Sequence, residues 1–147
     1  LNLLATMEDW WQTVKGRLLL TPHPGEMGRL SGLTTSQVQA DRLGLVREKA
    51  DLWDVTLVLK GAATLVSSKG EPIYINSTGN PALATGGTGD VLAGMIGGLL
   101  AQGVVPVQAA VAGVYLHGKA GDLAAAEIGT TGLLAGDLLP RIPRTLR

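Results

Sequence analysis

Asn80-Pro81-Ala82-Leu83-Ala84-Thr85-Gly86-Gly87-Thr88-Gly89-Asp90-Val91-Leu92-Ala93 joins a glycine-rich turn to an apolar helix, with one carboxylate at the junction. Glycines let backbone N–H groups converge on an anion, and a helix beginning near Gly89 adds the positive end of its dipole. Asp90 stands where a substrate hydroxyl could be deprotonated. This is the layout of a phosphoryl-transfer site. It is not a Walker A loop, which needs Lys-Ser/Thr after its last glycine, whereas Asp90-Val91 follow here. It also fails the dinucleotide fingerprint, because Leu92 occupies the third glycine position of a reading from Gly87. What remains is an anion nest of Gly86, Gly87, Thr88 and Gly89 on a helix N-terminus. A carboxylate placed there repels phosphate unless a cation compensates. A base beside a transferring phosphoryl group is a chemical reason to accept that conflict; a tight loop with Asp90 as ordinary N-terminal helix charge is the plainer alternative.

Outward from this turn, the pattern is that of an α/β protein. Asn2 to about Gly16 has helical spacing of apolar residues, and Leu18-Leu19-Leu20-Thr21 is a short buried strand cut off by Pro22. Pro22-His23-Pro24-Gly25-Glu26 is expected to be a stiff, irregular loop at the carboxyl end of that strand, where open α/β sheets bind ligands. Thr34 with Gln37 forms a capping box that opens one helix through about Trp53, with Gly44 as its weak point. Val55 to Leu59 is continuously apolar or β-branched, hence a strand buried on both faces. Leu65 to Ser68 and Ile73 to Asn76 form a hairpin around Lys69-Gly70-Glu71-Pro72. After a long loop from Ser77 to Thr88, helices are expected over Gly89–Gln102, Pro106–Ile128 and about Leu133–Leu139.

The 147 residues, 46% hydrophobic and 16% charged, supply one core, so the chain is expected to be one domain or a piece of one. Lys+Arg and Asp+Glu balance at 12 each, which gives no global field for nucleic acid or an anionic membrane. With no cysteine, disulfides, thiolate metal sites and cysteine nucleophiles are excluded, and the composition fits a cytoplasmic protein. The opening Leu1-Asn2-Leu3-Leu4-Ala5 has no basic n-region, so no secretory signal is read there. From Val91 to Leu116 no residue is charged, and Gly94 and Gly98 form a G-x-x-x-G. Gln102, Gly103, Pro106 and Gln108 nonetheless divide the run, and two buried helices describe it better than a membrane span.

Three further groups draw attention. Lys60-Gly61-Ala62-Ala63-Thr64 follows a buried strand and could hold a nucleotide through Lys60, Thr64 and exposed amides, although a Lys and a Gly at an ordinary turn would look the same. His23, flanked by prolines and followed by Glu26, is a rigidly aimed imidazole or else a hydrogen-bonded structural one. His117 reads as helix packing with a polar tip, and two histidines 94 positions apart offer no metal spacing. Trp10, Trp11 and Trp53 read as core or interface residues on helices rather than a stacking platform, since nothing basic interleaves with them.

Taken together, Thr21-Pro22-His23-Pro24-Gly25-Glu26, Lys60-Gly61-Ala62-Ala63-Thr64, Asn80-Pro81 with Ala84 to Leu92, and His117-Gly118 with Ala120-Gly121-Asp122 resemble one family in order and spacing. That family is the ADP- or ATP-dependent NAD(P)H-hydrate dehydratases, and the resemblance covers essentially the whole chain. It implies a ribokinase-like, three-layer α/β/α fold, incomplete here: residues 1–147 correspond to the carboxyl-terminal half of the family domain, with the amino-terminal half absent. Ala63 departs from the family, whose members commonly carry a histidine there.

The activity implied is nucleotide-dependent dehydration of the S-form of NAD(P)H hydrate back to NADH or NADPH, with ADP or ATP as phosphoryl donor and Mg²⁺ as cofactor. By the family pattern His23 and Asp90 contact the hydrated dinucleotide, and Lys60, Gly61, Ala62, Ala63, Thr64 and Gly89 contact the adenine nucleotide. Asp90 is the base, the nest amides of Gly86 to Gly89 stabilise the moving phosphoryl group, and no side chain is expected to be a dedicated metal ligand. The resemblance further implies a cytoplasmic enzyme, homo-oligomeric at full length, without nucleic-acid or membrane partners, and leaves open an epimerase domain upstream of Leu1. Another ribokinase-like vitamin or sugar kinase, lacking the Pro-His-Pro-Gly-Glu loop, and a non-catalytic nucleotide-binding remnant are the alternatives.

Overall fold

The computed structural model describes residues 1–14 and 18–146, which form two compact units, Leu1–Ile75 and Asn76–Arg147. The first is built on a four-stranded mixed sheet in the order β1 (Leu19–Leu20), β2 (Thr56–Leu59), β3 (Leu65–Ser67) and β4 (Tyr74–Ile75). β1 runs parallel to β2, with Leu19 opposite Thr56, while β2–β3 and β3–β4 are antiparallel, with Leu57 opposite Ser67 and Leu65 opposite Ile75. Every residue of β2 and β3 is buried, as the continuous apolar run requires of a strand covered on both faces. Leu57 and Leu59 are wholly buried, and each such side chain contributes about 1.5–3 kcal/mol relative to exposure. The parallel pair is connected through α2 (Pro24–Ser31), α3 (Thr35–Ala40) and α4 (Arg42–Trp53), and α4 packs against β2 and β3. Val46, Ala50 and Trp53 of α4 enter the same core as Leu57 and Leu59, together with Trp10 and Met27. Trp10 lies 5.1 Å from Trp53 between ring centroids, a tilted pair inside that core, as expected of core tryptophans.

Three expectations are corrected in this unit. Asn2 to Gly16 is not one helix: a 3₁₀ turn at Leu4–Thr6 is separated from α1 (Trp10–Val14) by Asp9, whose φ of 46° is left-handed; Lys15 and Gly16 lie outside the described residues. Pro22 to Glu26 is not irregular throughout, because α2 begins at Pro24. Proline at the first helical position sacrifices only an N–H that has no partner inside the helix. The helix expected from Thr34 to Trp53 is two. The Thr34–Gln37 capping box is present, but Asp41 leaves helical geometry (φ −143°, ψ 74°) and its carboxylate accepts from the Gly44 N–H at 2.8 Å, starting α4 anew. A side chain that bonds nearby backbone competes with the continuing helix.

The second unit is helical. α5 (Thr88–Ala101) packs on α6 (Pro106–Ile128), whose buried face carries Gly113, Gly118, Ala120, Gly121 and Ala124. The expected loop before α5 contains a 3₁₀ turn at Pro81–Ala84, and the last expected helix is a 3₁₀ turn at Ala135–Leu138. A further 3₁₀ turn, Ile142–Leu146, went unpredicted; its Arg144, with Arg141, holds Glu127 near the end of α6. Among the described residues no helix is long and apolar enough to cross a membrane.

Hydrogen bonds from Arg144 and then Arg141 draw the Glu127 carboxyl below its ordinary value. A carboxylate held low when folded stabilises above its unfolded value near 4.5, and the contribution is lost as pH falls through the folded value. Thermal unfolding between pH 5 and 3 is expected to show a fall in midpoint that is smaller in Glu127→Gln, and 1 M salt is expected to shrink the difference.

Candidate functional site

In the first unit, the ends of β1 and β2 are tied by the Lys60 N–H donating to the Pro22 carbonyl at 2.9 Å. This brings His23, Glu26 and Lys60 together. His23 caps α2, its Nδ1 accepting from the Gly25 and Glu26 N–H groups at 3.1 and 3.2 Å. Glu26 completes a capping box by accepting from the His23 N–H at 2.8 Å. An Nδ1 that accepts carries no proton, so the neutral ring has its proton on Nε2, 3.5 Å from Glu26 Oε2. The same Oε2 lies 3.7 Å from Lys60 Nζ. Glu26 thus links the histidine to the lysine, a role the sequence hinted at only by placing Glu26 three residues after His23.

The loop after β2 bends sharply: Gly61 has φ 131° and Ala63 has φ 51°. Thr64 Oγ1 donates to the Gly61 carbonyl at 3.0 Å, and Arg42, the first residue of α4, reaches the loop from beneath. Arg42 Nη1 donates to the Ala62 carbonyl at 2.5 Å, and Nη2 to the carbonyls of Leu59 and Lys60 at 3.2 and 3.3 Å. Burial lowers its guanidinium from the ordinary value, though arginine stays charged in proteins. Sequence reasoning missed Arg42 altogether, because one charged residue in a helical period reads as solvated surface.

In the second unit the turn before α5 is built on Gly87, whose φ of 89° suits glycine. No side chain caps α5, and among the described residues the N–H groups of Gly86, Gly87 and Gly89 have no backbone acceptor, whereas Thr88 N–H donates to the Thr85 carbonyl at 3.3 Å. Asp90 is the third helical residue; it is exposed, and no described side chain or amide bonds its carboxylate. Thr88 is buried, with Oγ1 2.7 Å from the Leu83 carbonyl and 2.8 Å from that of Thr85. Its own carbonyl accepts from buried His117 Nε2 at 2.9 Å. His117, expected to be helix packing, therefore supports the first residue of α5.

Asp122 supports the preceding loop, accepting from the Gly79 N–H at 3.1 Å and Asn80 Nδ2 at 3.0 Å, while Asn80 Oδ1 caps the 3₁₀ turn through the Ala82 N–H. The loop lies directly on α6: a Cβ added at Gly118 would fall 2.1 Å from Thr78 Oγ1 and 2.7 Å from the Thr78 carbonyl carbon. Among the described residues no cluster of three or more His, Asp or Glu could hold a metal.

A mixed sheet preceding a glycine turn and a helix bearing an N-terminal aspartate is a ribokinase-like arrangement. A ribokinase-like protein from Enterococcus faecalis shares the fold at TM-score 0.69 and 33% identity, over 89% of this chain and 45% of that one. The chain belongs to the NAD(P)H-hydrate dehydratase family, whose profile matches residues 1–144. It is 50% identical over its whole length to a bifunctional NAD(P)H-hydrate repair enzyme of Moorella thermoacetica, covering 28% of that protein. It is also 50% identical, over 95% of its length, to an ADP-dependent (S)-NAD(P)H-hydrate dehydratase of Neisseria meningitidis, covering 48% of it. An ADP/ATP-dependent NAD(P)H-hydrate dehydratase of Bacillus subtilis, co-crystallised with ATP and Mg²⁺, superimposes at TM-score 0.83 with 40% identity, over 87% of this chain and 46% of that one. The chain thus spans half or less of the length of these relatives.

Gly118→Ala is expected to destabilise the protein by about 1–3 kcal/mol in denaturant unfolding, since the added methyl forces Thr78 and the loop off α6. Ala63→Gly is expected to raise stability by up to about 1 kcal/mol in the same measurement, because the left-handed backbone costs a residue with a Cβ about 1–2 kcal/mol and the freer unfolded chain offsets part of the gain.

Proposed function

We propose that this chain is the carboxyl-terminal portion of one NAD(P)H-hydrate dehydratase domain and supplies the nucleotide-dependent dehydration of (S)-NAD(P)H hydrate. The observation that carries this reading is the unpartnered Asp90 carboxylate, one residue beyond the Gly86–Gly89 turn whose glycine amides lack acceptors. A carboxylate without a partner beside anion-seeking amides is poor packing and useful chemistry. Asp90 takes the proton of the substrate hydroxyl as its oxygen bonds to the terminal phosphorus of ADP or ATP, releasing AMP or ADP. The nest amides offset charge on the moving phosphoryl oxygens. Phosphate then departs with the C–O electrons, pushed by the ring nitrogen of the hydrated, tetrahydropyridine ring, and the neighbouring carbon gives its proton to water or to the departing phosphate, which restores the dihydropyridine double bond.

In this reading His23 presents its Nε2 side to the dinucleotide, Lys60 to Thr64 contact the adenine nucleotide, and Gly89 belongs to the anion nest before Asp90. Mg²⁺, when bound, neutralises phosphate charge. It would be held chiefly by the nucleotide's phosphate oxygens and water, the usual arrangement for this ion. The bifunctional relatives support a second activity in the same polypeptide, read here as an epimerase domain upstream of Leu1, and a cytoplasmic location and homo-oligomerisation at full length belong to the same reading. A nucleotide-binding remnant is the second reading, since the Lys60–Thr64 loop is held by Arg42 independently of Asp90.

Hydrated NADH incubated with the full-length protein, Mg²⁺ and ADP or ATP is expected to regain dihydronicotinamide absorbance, while Asp90→Asn loses at least about a thousand-fold in kcat and keeps nucleotide affinity within a few-fold. Nucleotide binding without any turnover would establish the remnant instead. Loss of nucleotide binding equal to the loss of turnover in Asp90→Asn would make Asp90 structural.

A further inference from the structure

The loop at Lys60–Thr64 is held by a side chain that none of the sequence motifs contains. Across a trans peptide the C=O and the following N–H point in opposite directions. Where a carbonyl is pulled inward, the next amide is therefore turned outward. Arg42 pulls in three: Leu59, Lys60 and Ala62. The amide that follows Leu59 belongs to Lys60 and is consumed by the Pro22 carbonyl at 2.9 Å. The amides that follow Lys60 and Ala62 belong to Gly61 and Ala63; both point away from the guanidinium, and neither has a backbone acceptor among the described residues.

The backbone angles agree with a loop held against its own preference. Gly61 takes its φ of 131° without strain, but Ala63 at φ 51° holds left-handed geometry that costs a residue with a Cβ and relaxes in a free chain. A Cβ at residue 61 would meet Arg42 Nη2 at 3.3 Å, so loop and guanidinium are in direct contact. The charge has a second use: a partly buried cation under a loop that receives phosphate or a purine edge adds to the field felt by an anion. Lysine could supply that charge, but not a planar fork that bonds three carbonyls at once.

We propose that Arg42 is a positioning residue for nucleotide binding, setting the Gly61 and Ala63 amides as the two donors that the loop presents to an adenine nucleotide. This rests on the reading of Lys60–Thr64 as the nucleotide segment. It touches neither substrate; it acts through the loop.

In the full-length protein, Arg42→Ala is expected to raise the dissociation constant for ADP and for ATP, measured by calorimetry, by about ten-fold or more, with a far smaller change in the KM for the hydrated dinucleotide. Arg42→Lys is expected to recover part of the loss and serves as the test if the alanine variant does not fold. Hydrogen exchange is expected to quicken at Gly61 to Thr64 while amides of β2 stay protected. Unchanged affinity in Arg42→Ala, in an experiment where Lys60→Ala weakens binding, overturns the role of Arg42 and leaves the nucleotide reading of the loop intact. Unchanged affinity in both variants overturns the nucleotide reading and this proposal with it. Equal damage to nucleotide and dinucleotide kinetics, with protection lost in β2, makes Arg42 a folding residue and overturns the proposal alone.

Discussion

Backbone polar groups that leave a helix or sheet ladder still need partners, and both units of this chain are organised around side chains that meet that need. Arg42 satisfies three carbonyls at the turn after β2, and His23 satisfies two amides at the start of α2. In the second unit His117 takes the Thr88 carbonyl and Asp122 takes the Gly79 amide. Each loop that carries a candidate functional residue is pinned this way. A loop fixed by side chains from a neighbouring helix can keep its remaining amides free, because its shape does not depend on using them.

This division of labour sorts the charged and polar residues. Asp122, His117, Arg42 and Glu26 are spent on backbone groups or on neighbouring side chains. Asp90 is not, and neither are the amides of Gly86, Gly87 and Gly89. An exposed carboxylate left unbonded beside open N–H groups remains available for chemistry, as the role proposed for Asp90 requires.

Much of the fold was legible because its strongest signals are local. The β-branched run of β2, the hairpin after it, the Thr34–Gln37 capping box and the long helix from Pro106 to Ile128 follow from pattern alone. The misreadings share a cause. Asp9 and Asp41 both interrupt segments whose apolar spacing continues through them, and spacing is blind to a single residue leaving helical geometry. Pro22-His23-Pro24 was read as forbidding a helix, when proline at the first helical position is compatible with one and His23 is its cap.

The sequence by itself determined the family, through motifs that are each short and local, together with the glycine turn with its aspartate and the four strands in chain order, because each depends on residues close together in the chain. The tertiary structure decided what those motifs are made of. It turned His117 from helix packing into a support for the first residue of α5, gave Asp122 a role in holding the preceding loop, and made Gly118 a contact surface for Thr78. It placed Arg42 under a loop 17 or more residues away. Such pairings are set by which carbonyl lies unpartnered within reach of which donor, and that is fixed only when the elements pack.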